Sequence, residues 1–121
     1  MSIDARANQT FIANTDLSTY QYLVVVNSTG PRVGRAGTAG GAVLGVLQNK
    51  PQSGEHATVT CLGFTKCFAG GTITAGGQVS TTASATATAV ASGDYILGTA
   101  LSGVASGGYF DLMITHSGFK G

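Results

Sequence analysis

All nineteen glycines of this 121-residue chain lie after residue 19. They punctuate runs in which apolar and polar residues alternate with a period of two. Glycine is costly inside a helix and useful where a strand bends or a turn needs positive φ. Alternation over about four to eight residues marks a half-buried strand. Together these signals predict an all-β chain with little or no helix, a small barrel or sandwich that turns its corners at glycine.

Tyr22, Val24 and Val26 alternate with Leu23, Val25 and Asn27, so this strand is apolar on both faces and predicted to be central. Asn27 to Pro31 is a turn cluster. Further strands are predicted over residues 42–47, 55–62, 72–74, 78–82, 95–101 and 109–115. Residues 83–91 are rich in Ala, the best helix former, yet they alternate with Ser, Thr and Val, which predicts a strand.

Two regions emerge. Residues 1–19 hold no glycine and read as an extended N-terminal arm or, equally, as a first edge strand. Residues 20–121 read as a single β domain. Within it an offset of 53 residues lays Val43-Leu44-Gly45 over Ile96-Leu97-Gly98 and Ser53-Gly54 over Ser106-Gly107. This predicts two similar β units with bends at Gly45 and Gly98 and turns at Gly54 and Gly107.

Composition removes several functions. Only 9% of residues are charged, against about 25% in an ordinary domain. A net charge of +1 gives no footprint for nucleic acid. No apolar run of about 18 residues predicts a membrane span, and the polar N-terminus does not read as a secretory signal, which points to synthesis in the cytosol. An under-charged surface predicts that other chains cover part of it.

Chemistry is sparse. The carboxylates Asp4, Asp16, Glu55, Asp94 and Asp111 show no pairing in their spacing. His56 and His116 read as exposed histidines on strands. No nucleophile elbow accompanies Asp111 and His116. The stretch 34–45 lacks the Gly-Lys-Ser/Thr of a phosphate loop. Cys61 and Cys67 admit three readings: part of a metal set with the histidines, a disulfide across a hairpin at 62–66, or two reduced thiols acting as small hydrophobes, which is the favoured one. The expectation is a protein that is not an enzyme, with no catalytic residue, no cofactor and no metal.

Several blocks carry a resemblance. They are Arg35-Ala36 through Gly45-Val46-Leu47-Gln48-Asn49, then Pro51 and Gly54 to Val59; Ala69-Gly70-Gly71-Thr72-Ile73-Thr74-Ala75-Gly76-Gly77-Gln78-Val79; and Gly93-Asp94-Tyr95-Ile96-Leu97-Gly98-Thr99-Ala100-Leu101, followed by Gly107. In order and spacing the chain resembles, from about Tyr22 to Ile114, the capsid decoration (cement) proteins of tailed bacteriophages. The resemblance implies a compact small β-barrel or β-tulip-like domain, and a structural protein on the outer surface of the virion. It would bind the assembled head, clamp neighbouring major capsid protein subunits and form a homo-oligomer, a trimer or else a dimer. The family habit also implies an arm that reaches onto the capsid, here with Ile3, Arg6, Phe11, Ile12 and Leu17 as contacts. The alternative is a head- or tail-surface carbohydrate-binding module, for which Tyr20, Tyr22, Tyr95 and Tyr109 are the candidate rings.

Overall fold

The computed structural model describes residues 6–28 and 30–120, with the side chains from residue 8 onward. It contains nine strands and, among the described residues, no helix: β1 (Arg6–Ala13), β2 (Val24–Asn27), β3 (Arg32–Arg35), β4 (Gly45–Leu47), β5 (His56–Phe68), β6 (Gln78–Thr81), β7 (Ala87–Ala89), β8 (Tyr95–Ala100) and β9 (Tyr109–Phe119). They form one sheet in the order β1-β3-β2-β4-β5-β9-β8-β6-β7, and β1 pairs again with β5. That second pairing closes β1 to β5 into a five-stranded barrel. β2 is internal, flanked by β3 and β4, with Val24 and Val25 both fully buried.

The second half repeats the first. β5 curls with β9, β8, β6 and β7 until β7 meets the end of β5 through a parallel bridge, Ala69↔Ala87. In the first barrel the matching bridge is Ala13↔Val33, also parallel. The registers agree residue by residue. Val46↔Thr60 and Leu47↔Val59 in β4–β5 recur, 53 residues on, as Thr99↔Met113 and Ala100↔Leu112 in β8–β9. Val25↔Arg35 and Asn27↔Val33 in β2–β3 recur, 54 on, as Val79↔Ala89 and Thr81↔Ala87 in β6–β7. β1 corresponds to the far half of β5: Phe11↔Ala57 matches Cys67↔Phe110. Thus β5 is shared. Its first half ends one barrel and its second half begins the next.

The cores follow the same duplication. Ala13, Leu17, Val25, Val33, Leu47, Ala57 and Val59 fill the first barrel. Their counterparts Ala69, Ile73, Val79, Ala87, Ala100, Phe110 and Leu112 are all buried in the second. Each fully buried Leu, Ile or Val contributes roughly 1.5–3 kcal/mol. Ala57 is matched by the larger Phe110, while Val33 and Leu47 are matched by the smaller Ala87 and Ala100, so each interior conserves volume rather than residues. Val24, Ala36 and Val46 leave the first barrel's interior and pack with the second core, joining the two.

The corner glycines have distinct causes. A Cβ on Gly45 would strike the Thr60 carbonyl, and one on Gly98 the Met113 carbonyl, so each lets two strands cross closely. Gly54 and Gly107 turn with φ of 83° and 92° and face open space. Gly40 and Gly93 (70° and 87°) and Tyr22 and Gly76 (66° and 85°) are further matched positive-φ pairs.

Two local expectations are corrected, and one left open between two readings is decided. The strand expected over 83–91 is β7 alone. Residues 82–86 instead make the β6–β7 turn, where Ala85 takes φ of 67° and Thr82 and Thr86 hydroxyls bond at 2.7 Å. Residues 62–66 are not a hairpin but the middle of β5. Residues 6–13, expected either as an arm or as a first strand, are a strand of the first barrel, held by β5 on one side and β3 on the other.

Candidate docking surface

β1 is hydrogen-bonded to its own chain, and the expected arm contacts distribute accordingly. Leu17 is fully buried in the first core, so it has no surface to offer a partner; an apolar residue closing a barrel end is spent there. Phe11 packs half-buried against the same core, and Ile12 is half-buried beside it. The backbone of Arg6 pairs with Gly63. Ile3 and the Arg6 side chain lie outside the described residues.

The exposed large apolar side chains among the described residues lie instead on β5, on β9 and just after β8. Leu62, Leu101, Tyr109 and Phe119 are 51%, 47%, 53% and 63% exposed. Leu62, Phe64, Lys66 and Phe68 alternate outward along β5, and their ladder partners include Met113, Asp111 and Tyr109 on β9. Tyr109 packs edge-on to Tyr22 and Phe68. The Lys66 ammonium lies 5.4 Å from the Tyr22 ring centre and 5.8 Å from that of Tyr109. A band of aromatic and aliphatic side chains with one cation is suited to protein contact more than to proton transfer.

Two titratable side chains, His116 and Asp94, are tied into the hydrogen bonding of the sheet. Both nitrogens of His116 are engaged: Nε2 donates to the Cys61 carbonyl at 2.7 Å, and the Tyr95 hydroxyl lies 2.7 Å from Nδ1. A carbonyl only accepts, so Nε2 carries a proton; in the neutral ring Nδ1 then accepts from the Tyr95 hydroxyl. Asp94 accepts from the Ser80 hydroxyl and the Ala91 N–H. His56 and Asp111 are exposed on different strands. Among the described residues no group of His, Cys, Asp and Glu is placed to hold a metal ion.

Cys61 and Cys67 lie six residues apart on β5, roughly 20 Å along an extended strand. That distance removes both the disulfide and a shared metal set, and both thiols are free. Burial pushes the Cys67 thiol up to about 12, and partial burial raises Cys61.

One opening lies on the first barrel. Val26, Asn27, Ala42, Val43 and Leu44 line a cleft of about 240 Å³ where β2 and the approach to β4 part. Sequence reasoning does not find it, because it arises from two backbone segments diverging. No helix among the described residues is long and apolar enough to cross a membrane.

No family model matches the chain, and no curated protein matches it by sequence. Among solved structures it is similar to the head fiber gp8.5 N base of bacteriophage phi29. The likeness covers 96% of this chain and 99% of that one, with a TM-score of 0.74 and 19% identity. The tandem arrangement described above is therefore a fold that a phage head fiber base also adopts.

Proposed function

We propose that this chain is a structural protein of a bacteriophage head, acting on the outer surface of the assembled shell. In this reading it is a cement protein: it binds the major capsid protein across subunit boundaries and resists their separation. It acts as a homo-oligomer, with three copies favoured, and catalyses no reaction. The observation that carries the reading is the likeness of nearly the whole chain to a phage head fiber base. The low charge content and the exposed band of Leu62, Leu101 and Tyr109 support it, since such a surface is stabilised by being covered. Weak contacts repeated over a symmetric shell add through multivalency.

The test uses expanded heads assembled without this protein. Purified full chain added to them is expected to co-sediment at saturation and to raise their resistance to heat and dilution. Heads that neither bind the chain nor gain resistance would overturn the reading.

A further inference from the structure

In the second barrel a single residue from the first fills a gap between two strands. β6 and β8 pair at Gln78↔Thr99 and Val79↔Gly98. Beyond that point Gly40, from the β3–β4 connection, enters between them. Its N–H donates to the Thr81 carbonyl at 2.9 Å, and its carbonyl accepts from the Tyr95 N–H at 2.9 Å. Gly40 has φ of +70°, and a Cβ there would run into the Asp94 carboxylate. The plug is bare backbone.

The first barrel has the same opening, and no described residue of the chain fills it. By the duplication, Thr81 and Tyr95 correspond to Asn27 and Ala42, which both line the cleft on that barrel. The Leu44 N–H still bonds the Val25 carbonyl at 2.9 Å, and beyond that bond the segments part. The Ser28 N–H donates to the Arg32 carbonyl, so strand alternation turns the Asn27 carbonyl away from β3 and toward the cleft. Among the described residues nothing bonds the Ala42 N–H. The cleft therefore offers the acceptor and donor that Gly40 bridges in the other barrel, between half-buried walls of Val26, Val43 and Leu44. Unpaired main-chain groups at a strand edge are templates for pairing.

The chain carries a matching plug. Gly93 corresponds to Gly40 and has φ of +87°. Each glycine sits in the same turn: the Gly41 N–H bonds the Thr38 carbonyl at 3.1 Å, and the Asp94 N–H bonds the Ala91 carbonyl at 3.0 Å. Gly93 is exposed, and its carbonyl takes no bond among the described residues. Its N–H is held by the Lys120 carbonyl at 2.8 Å, near the end of the described chain.

We propose that the Gly93 turn of a second copy docks in the Asn27–Ala42 cleft of the first. The Gly93 carbonyl accepts from the Ala42 N–H, and its N–H passes from Lys120 to the Asn27 carbonyl. The contact joins copies head to tail, continuing between molecules the interface that Gly40 makes within one. Two different surfaces meet, so a closed set of copies is a ring. The inference rests on the proposed function only for the expectation that copies associate, and its test contains no capsid.

The experiment measures the mass of the full chain in solution and residue-resolved amide hydrogen exchange over a range of concentrations. The expected result is an oligomer in which Ala42 exchange slows by about tenfold or more as mass rises, while Tyr95, bonded within its own chain, does not change. An oligomer with Ala42 unprotected overturns the proposal. So does a chain that stays monomeric at every concentration, and so does protection of Ala42 that appears only on adding heads, which would assign the cleft to the capsid. The Ala42→Pro variant removes the donor and is expected to give a monomer that melts as the parent chain does when diluted to its monomeric range; a persistent oligomer would count against the contact. The exchange measurement needs no variant and stands if that one fails to fold. Failure to bind heads by an oligomer with protected Ala42 would contradict the cement reading and leave this contact in place.

Discussion

His116 occupies in the second barrel the place that Gly63 occupies in the first, and both have positive φ, 51° and 95°. A glycine adopts that backbone without cost, whereas a residue with a Cβ is strained by roughly 1–2 kcal/mol. His116 is held there because its ring ties Tyr95 on β8 to the Cys61 carbonyl on β5. Two hydrogen bonds of about 1 kcal/mol each offset the strain. His116→Ala is therefore expected to lose about 2 kcal/mol. His116→Gly should retain roughly 1 kcal/mol more than the alanine variant, because it relieves the backbone. Urea denaturation of the two variants checks the order.

The corner glycines divide by cause, and substitution separates them. Gly45→Ala and Gly98→Ala place a Cβ against a neighbouring strand's carbonyl, which cannot move without breaking the ladder. Each is expected to cost about 3 kcal/mol or more. Gly54→Ala and Gly107→Ala meet open space and only the positive φ, so about 1–2 kcal/mol is expected. Thermal unfolding of the four variants should rank them in that order.

Volume is matched barrel by barrel, so equivalent positions do not exchange freely. Phe110→Ala empties the second core and is expected to cost about 3–5 kcal/mol. Ala57→Phe, which copies the second barrel into the first, over-packs against Val33 and Leu47 and is expected to cost roughly 1–3 kcal/mol. Equilibrium unfolding measures both.

Cys67 ties stability to alkaline pH. Its folded-state value of about 12 lies above the ordinary 9.0. The folded state holds the proton more tightly, so the contribution is fully present below pH 9 and is lost as pH rises toward 12. The slope is about 1.4 kcal/mol per pH unit within that window. Cys67→Ala should lose less stability than the parent chain between pH 9 and 12. A thiol reagent at pH 8 should modify Cys61 in the folded protein and reach Cys67 only on unfolding.

The duplication was partly legible. Gly45 and Gly98, and Gly54 and Gly107, lie at one offset of 53 and mark the corners of both units. The rest escaped because β2 and β3 match their counterparts at 54, and β1 matches the far half of β5 at 56. Small loop differences erase such a repeat from a single-offset reading. β1 carries too few apolar residues to announce a strand, since only Phe11 and Ala13 turn to the core. Gly63 looked like part of a turn because glycine supplies positive φ in turns; here it serves a bend where one strand passes between barrels. Ala85 at positive φ has no signal in its chemistry. The cleft at Asn27 and Ala42 is made by backbone, which side-chain patterns do not report.

Cryo-electron microscopy of heads carrying this protein tests the central claim most directly. The account predicts density for tandem five-stranded barrels on the outer face of the shell, bridging neighbouring capsid subunits at repeated symmetry positions. Heads with a bare outer face, or barrels found only on the tail or inside the shell, would contradict it.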